Sequence, residues 1–307
     1  MQQNRNLTDW ALFAALTVLW ASAYAFTRLA VSHDDPSSGF PPQFIIPMRI
    51  TAGAVVLLIV AAISRQPWPR LRDWKSWLIM AAMGMLGTAT PFLLITTAQK
   101  TVDSSLAALY VSAAPLFTAI LAHIFFHDDY IDRRKAAGLA IGFLGVAVLF
   151  GPEAIASFGS ASVIAQAMCL FATFFYALSS IIARRGRNIP PFVFSAGFLA
   201  FGSLATWPLL FLVEYETLAP SNSAIAGLVG LAIGPTAIAS VVYMMLIQRT
   251  SATYVSLTGY MIPILSAIIG FLAFRELQSW NAFLAFALIL GGVWLAQRNQ
   301  AGLSSKA

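Results

Sequence analysis

The chain has 307 residues, of which 59% are apolar and only 10% are charged, and its mean hydropathy is +0.78. Soluble domains have about 25% charged residues, so this composition excludes a soluble globular protein and indicates a multispanning membrane protein. The net charge of +6 does not indicate nucleic-acid binding, because the basic residues lie in short loops between apolar segments. The single cysteine, Cys169, lies in an apolar run and allows no disulfide within the chain.

A helix needs about 20 residues to cross the hydrocarbon layer of a membrane. In chain order, the apolar segments that reach or approach this length are 10–32, 44–64, 77–97, 105–126, 137–151, 162–183, 192–213, 224–246, 253–273 and 279–297. We therefore predict an all-α integral membrane protein with ten transmembrane helices. The first segment resembles a signal peptide, but it stays apolar as far as Val31, so we interpret it as a retained helix. Gly138, Gly142 and Gly145 of the fifth segment favour close helix packing inside the fold over a dimer interface.

The basic residues are distributed unevenly between the connections. Every second connection, counting both termini, contains the residues Arg5, Arg65, Arg70, Arg72, Lys75, Arg133, Arg134, Lys135, Arg184, Arg185, Arg187, Arg249, Arg298 and Lys306. The intervening connections contain only Lys100 and Arg275. Because cytoplasmic loops of membrane proteins are enriched in Lys and Arg, both termini are predicted to lie in the cytoplasm and the protein in the cell inner membrane.

The second half of the chain repeats the first. The positions that correspond in sequence or spacing are Pro115 with Pro263, Asp128 with Glu276, and 20–28 with 176–184. Each half contains five predicted helices, and an odd number reverses the direction in which the next copy enters the membrane. We therefore predict two inverted five-helix repeats, 1–153 and 154–307, an architecture that many secondary transporters use.

These motifs resemble a known family. Trp20-Ala21-Ser22 followed by Arg28, the run at 105–120 with an acid after it, and the second copies at 253–276 are similar to the EamA-type branch of the drug/metabolite transporter superfamily. The resemblance covers nearly the whole chain. It implies a ten-helix exporter of small metabolites, with helices one to four and six to nine around a central cavity. Within the superfamily the chain is most similar to bacterial amino-acid exporters, including exporters of aromatic amino acids.

Aromatic and hydroxyl side chains near the predicted midplane are the candidate substrate-binding residues. They are Trp20, Ser22, Tyr24, Thr88, Thr90, Tyr110, Ser112, Tyr176, Ser179, Tyr243 and Tyr260. A lining of rings and hydroxyls without fixed acids suits neutral or zwitterionic solutes with an apolar body. For each residue the alternative is ordinary packing between helices. Pro115 and Pro263 are predicted hinges, because proline releases a backbone carbonyl; the alternative is that they only shape the packing.

The charged residues bear on the mechanism. All twelve acids map to loops or helix ends, whereas ion-coupled carriers commonly place an acid inside the membrane. We therefore expect facilitated export, with His123 as the alternative proton carrier. Arg28 and Arg49 lie inside apolar segments. One of them is expected to meet an anionic group of the substrate, and the alternative is a bond to a backbone carbonyl or a loop acid.

The sequence contains no motif of a membrane enzyme and no metal-spaced Cys/His set, so no catalytic residue, metal or cofactor is predicted. The predicted function is export of small metabolites, neutral or aromatic amino acids, by alternating access. The predicted partners are the small-molecule substrate and the lipid bilayer, with no nucleic acid. An exporter of drug-like or lipid-like hydrophobes and a membrane scaffold without transport remain alternatives. The oligomeric state stays open.

Overall fold

The computed structural model describes residues 7–125, 131–151, 160–186, 188–250 and 258–297. Within these ranges the chain forms helices and connections, with no β-strand, so the predicted all-helical fold class is confirmed. Several residues used in the sequence analysis lie outside the described residues, namely Arg5, Asp128, Arg187, Arg298, Lys306 and the side chain of Arg184.

The helices lie close to the predicted segments. In chain order they are α1 (Leu7–Val31), α2 (Pro42–Ile63), α3 (Trp74–Ala98), α4 (Ser104–Phe125), α5 (Arg133–Phe150), α6 (Ala161–Arg185), α7 (Pro191–Leu212), α8 (222–249), α9 (Thr258–Phe274) and α10 (Trp280–Gln297). All except α5, α9 and α10 are both long enough and apolar enough to cross a membrane. Side-chain caps begin several of these helices, because an acceptor there satisfies a free backbone N–H. Asp73, Asp132, Ser160 and Ser221 have this role at α3, α5, α6 and α8.

Three helices change their backbone geometry near the middle. The changes are a π-helical segment at Met85–Ala89 in α3, a break at 112–113 in α4, and a π-helical segment at Ala232–Ile238 in α8. Pro91, Pro115 and Pro235 lie at or beside these positions, since proline cannot donate the hydrogen bond that continues an α-helix. In contrast, α9 continues through Pro263 without a break. Hinge motion at Pro115 or Pro263 stays a prediction.

α5 and α10 pack against each other through glycines. A Cβ atom added to Gly138 would lie 2.5 Å from the carbonyl oxygen of Gly292, and one added to Gly292 would lie 2.5 Å from the carbonyl oxygen of Gly138. A Cβ atom on Gly145 would likewise lie 2.8 Å from the carbonyl oxygen of Ala285. The glycines therefore allow the two backbones to touch, and the predicted packing inside the fold is confirmed.

α1 packs against helices of both halves of the chain. Along its length α1 contacts α4, α8 and α9, while α2 packs on α7 and α8. α6 packs on α3 and on the second piece of α4, Ala114–Phe125. The first piece of α4, Ser104–Val111, contacts both α6 and α9. The middle of α1 therefore lies where helices from both halves of the chain meet.

Polar contacts identify the two ends of this helical bundle. At one end, called the Asp9 end, Arg249 donates to Asp9 at 2.7 Å, and Gln66 after α2 accepts a hydrogen bond from the backbone of Phe192 at the start of α7. The opposite end, called the Arg28 end, contains the end of α1 and the start of α4. The described basic residues of the connections lie at the Asp9 end, except for Lys100 and Arg275. This is the segregation that the sequence predicts.

Candidate functional site

An aromatic pair joins α1 to a helix of the second half. Trp20 and Tyr243 of α8 have ring centroids 5.6 Å apart. Tyr24 lies one helical turn further along α1, and Tyr176 lies in α6; their contact with substrate stays a prediction. All four side chains keep part of their surface exposed. The structure thus brings two of the predicted substrate-binding residues together, Trp20 from the first half of the chain and Tyr243 from the second.

Other predicted residues have different surroundings. Ser22, Ser112 and Ser179 each donate a hydrogen bond to a carbonyl three residues earlier in their own helix. Tyr110 is fully buried, donates to the side chain of Gln166 and meets the ring of Phe150 edge-on, as a packing residue does. A substrate contact by any of these four side chains stays a prediction.

The last three predicted residues lie in α3 and α9. Thr88 is buried within the π-helical segment of α3, and Thr90 follows that segment. Tyr260 is partly buried against apolar residues of α4, α5 and α10. Their contact with substrate also stays a prediction.

Arg49 of α2 is held by side chains of α8 and α3. Its Nε donates to the hydroxyl oxygen of Thr236 at 2.7 Å, and its guanidinium carbon lies 3.7 Å from the centroid of the Phe92 ring. The residue is only 7% exposed. Arg49 therefore joins α2 to α3 and α8.

The local structure of α2 and α8 explains this position. Thr236 lies in the π-helical segment, where its hydroxyl donates to the carbonyl of Leu231 at 2.9 Å. That donation leaves the hydroxyl oxygen free to accept from Arg49. One turn after Arg49, a Cβ on Gly53 would lie 2.6 Å from the Thr236 methyl group, so only glycine allows the two helices to approach this closely. The sequence analysis did not identify Thr236 or Phe92 as partners of Arg49.

Arg28 forms a separate cluster at the Arg28 end. Its Nη1 donates to Asp103 at 2.5 Å and to Glu276 at 2.9 Å, while its Nη2 donates to Asp34 at 3.0 Å. The Arg28 cluster, as we call it, consists of Arg28, Asp34, Asp103, Ser104, Ser105 and Glu276. The sequence allowed two interpretations of Arg28, a contact with substrate or a bond to a backbone carbonyl or a loop acid. In the structure Arg28 pairs with acids.

Glu276 reaches this cluster through the turn that ends α9. Arg275 adopts a left-handed conformation with φ 58°, and the Glu276 N–H bonds back to the carbonyl of Gly270 at 3.2 Å. A Cβ on Gly270 would lie 2.3 Å from a Glu276 carboxylate oxygen, so glycine makes the space that the carboxylate occupies. The side chain therefore folds back over the last turns of α9 instead of extending into solvent.

The Glu276 carboxylate is bound by the first turn of α4. It accepts hydrogen bonds from the backbone amides and hydroxyls of Ser104 and Ser105, at the positive end of that helix. Burial raises the pKa of Glu276, but the hydrogen bonds from Ser105 and Ser104 outweigh burial and hold the pKa below its ordinary value. The sequence analysis placed Glu276 correctly at a helix end but did not predict that it is buried.

The distribution of acids agrees with the sequence analysis in the part of the chain that the structure describes. Its carboxylates lie at the ends of helices or in connections, and none lies at mid-depth. His123 is exposed near the last turn of α4, at the Asp9 end. No group of three or more metal-ligating side chains occurs among the described residues.

Known transporters resemble the chain along most of its length. The "Uncharacterized inner membrane transporter YedA" of Escherichia coli is 28% identical over 93% of this chain and 89% of its own. The "Uncharacterized transporter YdfC" of Bacillus subtilis is 25% identical over 90% of this chain and 86% of its own. The "Probable terminal-alkyne amino-acid exporter" of Streptantibioticus cattleyicolor is 25% identical over 95% of this chain and 94% of its own.

The fold is also known from a crystal structure. That structure superposes with a TM-score of 0.63 at 22% sequence identity, covering 95% of this chain and 98% of the other. A family model for EamA-like transporters matches the chain twice, at 9–151 and at 163–297. The described helices, the relatives named as transporters and this double match agree with the resemblance drawn from the sequence. The chain belongs to the EamA-like transporter family of membrane proteins.

Proposed function

We propose that the protein exports small metabolites, specifically neutral or aromatic amino acids, across the cell inner membrane by alternating access and without ion coupling. The observation that carries this proposal is the meeting of Trp20 with Tyr243 between the two halves of the chain. Partly exposed rings offer a flat apolar contact and attract a substrate ammonium group. The name of the Streptantibioticus relative, an amino-acid exporter, supports the same substrate class.

The proposed architecture is ten transmembrane helices in two inverted repeats, 1–153 and 154–307. The double match of the family model supports a duplication. The third and eighth helices, which correspond in such a repeat, both contain a π-helical segment near the middle. The fifth and tenth helices, which also correspond, pack on each other. Inverted repeats place the substrate between the halves, near the midplane.

The Arg28 cluster suits one state of an alternating-access cycle. It joins α1 and the start of α4, from the first half, to the end of α9, from the second half. The positive-inside rule assigns the Asp9 end to the cytoplasm and the Arg28 end to the outside. We therefore propose that this cluster closes the outer end and opens when the substrate is released.

Transport without ion coupling is supported by the acids of the described residues, which lie at the two ends rather than at mid-depth. Glu276, the most deeply buried of them with Asp9, is held in its charged form by Arg28 and two serines. A group that stays charged cannot carry a proton through the cycle.

A second substrate class has one observation in its favour. An apolar groove of about 360 Å³ lies between α2 and α8, lined by small and branched residues that include Ala52, Val56, Ala237 and Val241. Such a groove accepts a hydrocarbon chain. It therefore keeps export of drug-like or lipid-like hydrophobes as the alternative.

Counterflow in proteoliposomes tests the proposal. Vesicles loaded with unlabelled phenylalanine, leucine or glutamate are diluted into labelled phenylalanine, and we expect transient accumulation with the first two only. Trp20→Ala should lower the rate roughly threefold to tenfold, through loss of ring contact. Trp280→Ala, at an exposed tryptophan, is the matched control and should not. Flux of a hydrophobic dye that ignores amino acids would favour the alternative, and no flux of any solute would favour a scaffold.

A further inference from the structure

Arg49 is a buried cation without an acidic partner. It is 7% exposed, and no carboxylate of the described chain lies within 4 Å of its nitrogens. Arg28, the other arginine within a predicted span, has three such partners. On insertion scales, an arginine at the centre of a membrane helix is unfavourable by about 2.5–3.5 kcal/mol. Charged residues inside membrane spans therefore mark functional sites. The missing counter-charge therefore needs an explanation.

The contacts of Arg49 leave one part of the guanidinium unused. Nε is occupied by Thr236, and one face of the group lies on the ring of Phe92 at 3.7 Å. The terminal nitrogens Nη1 and Nη2 donate to no described residue, yet they are not among the fully buried atoms that lack a partner. They therefore border accessible space. Two parallel N–H groups at the end of a fixed guanidinium match the two oxygens of a carboxylate.

The surroundings of these nitrogens fit an amino acid. The ring of Phe92 lies 3.7 Å from the guanidinium carbon. This ring provides apolar contact next to the cation. The hydrogen bond from Nε to Thr236 fixes the Arg49 side chain, because Thr236 is itself bonded to Leu231 within the π-helical segment. Arg49 therefore loses little side-chain freedom when a ligand binds.

We propose that Arg49 binds the carboxylate of the transported solute, with the ring of Phe92 beside the bound group. The proposal rests on the proposed export function and narrows its substrate class to carboxylate-bearing solutes, such as neutral aromatic and aliphatic amino acids. Amines and amides of the same shape bind more weakly. The Arg28 cluster does not take this role, because its cation is already neutralised by acids of the chain.

Two ligand pairs that differ only in the carboxylate test this assignment. Dissociation constants of phenylalanine, phenylalaninamide, 3-phenylpropionate and 3-phenylpropionamide are measured on purified protein by ligand-induced thermal stabilisation. The wild-type protein should prefer each acid over its amide about tenfold or more, as a charge-assisted pair of hydrogen bonds provides. The ratio within a pair does not depend on the amount of folded protein.

The variants separate binding from folding. Arg49→Gln should bring the ratio close to one, and Arg49→Lys, which keeps the charge without the fork, should leave an intermediate ratio. Thr236→Val keeps the volume but removes the acceptor for Nε, and should also lower the ratio. Arg275→Gln removes an exposed arginine and should keep the wild-type ratio. A folded Arg49→Gln protein with the wild-type ratio, or a wild-type protein without preference, overturns the proposal.

Two further outcomes are distinguishable. If the wild-type protein prefers 3-phenylpropionate but neither binds nor exchanges amino acids, the export of amino acids is wrong while the carboxylate site stands. The measurements are repeated in nanodiscs of phosphatidylcholine with and without phosphatidylglycerol. An acid preference that disappears with the anionic lipid assigns Arg49 to a lipid phosphate and overturns the proposal; an unchanged preference supports it.

Discussion

Glu276 is an acid whose surroundings favour the charged form, and its pKa lies below the ordinary value. A carboxyl group with a lowered pKa in the folded protein stabilises the fold fully above its unfolded pKa of about 4.3. That contribution is lost as the pH falls from there through the folded pKa. Between pH 5 and pH 8 Glu276 should therefore stay charged.

This gives a prediction for stability. The contribution of Glu276 to the melting temperature of the wild-type protein in detergent should be constant from pH 8 to pH 5. It should fall below about pH 4.3. Glu276→Gln should be less stable at neutral pH, by up to about 3–5 kcal/mol, because it removes one partner of a buried pair. The loss of stability in Glu276→Gln should be smaller than that limit, because Arg28 keeps its ion pairs with Asp34 and Asp103. The difference between the two proteins should shrink in acid; a constant difference down to pH 3 would contradict this account.

The residue scale also shows what a sequence cannot reveal. The positions of Arg28 and Arg49 within apolar segments are visible in the sequence, but their partners are 248 residues away for Glu276 and 187 residues away for Thr236. No local pattern connects residues at such separations. The sequence therefore identified both cations without distinguishing the neutralised Arg28 from the unpaired Arg49.

At the scale of the helix, the adjacent glycines 291 and 292 provide a matched comparison. A Cβ on Gly292 would lie 2.5 Å from backbone atoms of both Gly138 and Gly142, whereas a Cβ on Gly291 meets nothing within 4 Å. Gly292→Ala should separate α5 from α10 and lower the stability by about 1–3 kcal/mol. Gly291→Ala should be neutral or stabilising, by roughly 0.5–1 kcal/mol. Thermal unfolding in detergent measures both, and equal melting temperatures would show that α5 and α10 do not pack in this way.

Gly53 allows a second comparison at this scale. Alanine at this position would push against the methyl group of Thr236, which is β-branched and cannot turn aside freely. We expect Gly53→Ala to displace Thr236 from Arg49 and to lower the preference for acids over amides, although no charged or hydrogen-bonding group is removed. Gly259→Ala, at a glycine with open space, should not change that preference. A wild-type preference in Gly53→Ala would show that the Thr236 contact is dispensable.

The helices were predictable because length and apolarity determine them. The segment predicted at 44–64 is helical at Pro42–Ile63, and that predicted at 192–213 is helical at Pro191–Leu212. The break beside Pro115 also follows from local chemistry, since proline lacks an N–H. The π-helical segments of α3 and α8 were not predicted, because a change from α to π geometry depends on packing as well as on Gly and Pro. The uninterrupted course of α9 through Pro263 shows the same dependence.

For the whole molecule, the orientation in the membrane is testable at two exposed positions. Cys169 is fully buried, so new cysteines can be labelled over a low background. Glu216→Cys, before α8, should react with a membrane-impermeant maleimide in intact cells. Arg72→Cys, between α2 and α3, should react only after permeabilisation, because that connection carries the basic excess. The reverse pattern would invert the proposed topology.

Energy coupling is also a property of the whole molecule. A pH gradient imposed at fixed membrane potential should not drive labelled neutral amino acid above equilibrium, since no mid-depth carboxylate of the described chain binds and releases a proton. Preloaded substrate should still produce counterflow. Uphill accumulation that a protonophore abolishes would contradict facilitated export, and His123→Gln would then be the first variant to measure.

The Arg28 cluster also has a consequence for biosynthesis. Arg28 and Glu276 are separated by 248 residues, and translation proceeds at roughly 5–20 residues per second. The guanidinium therefore waits roughly 12–50 seconds after its own synthesis before its most deeply buried partner leaves the ribosome. During that interval only Asp34, and later Asp103, can neutralise it. The nearby acids of the first half thus serve the nascent chain as temporary counter-ions, until the last helices arrive and complete the cluster.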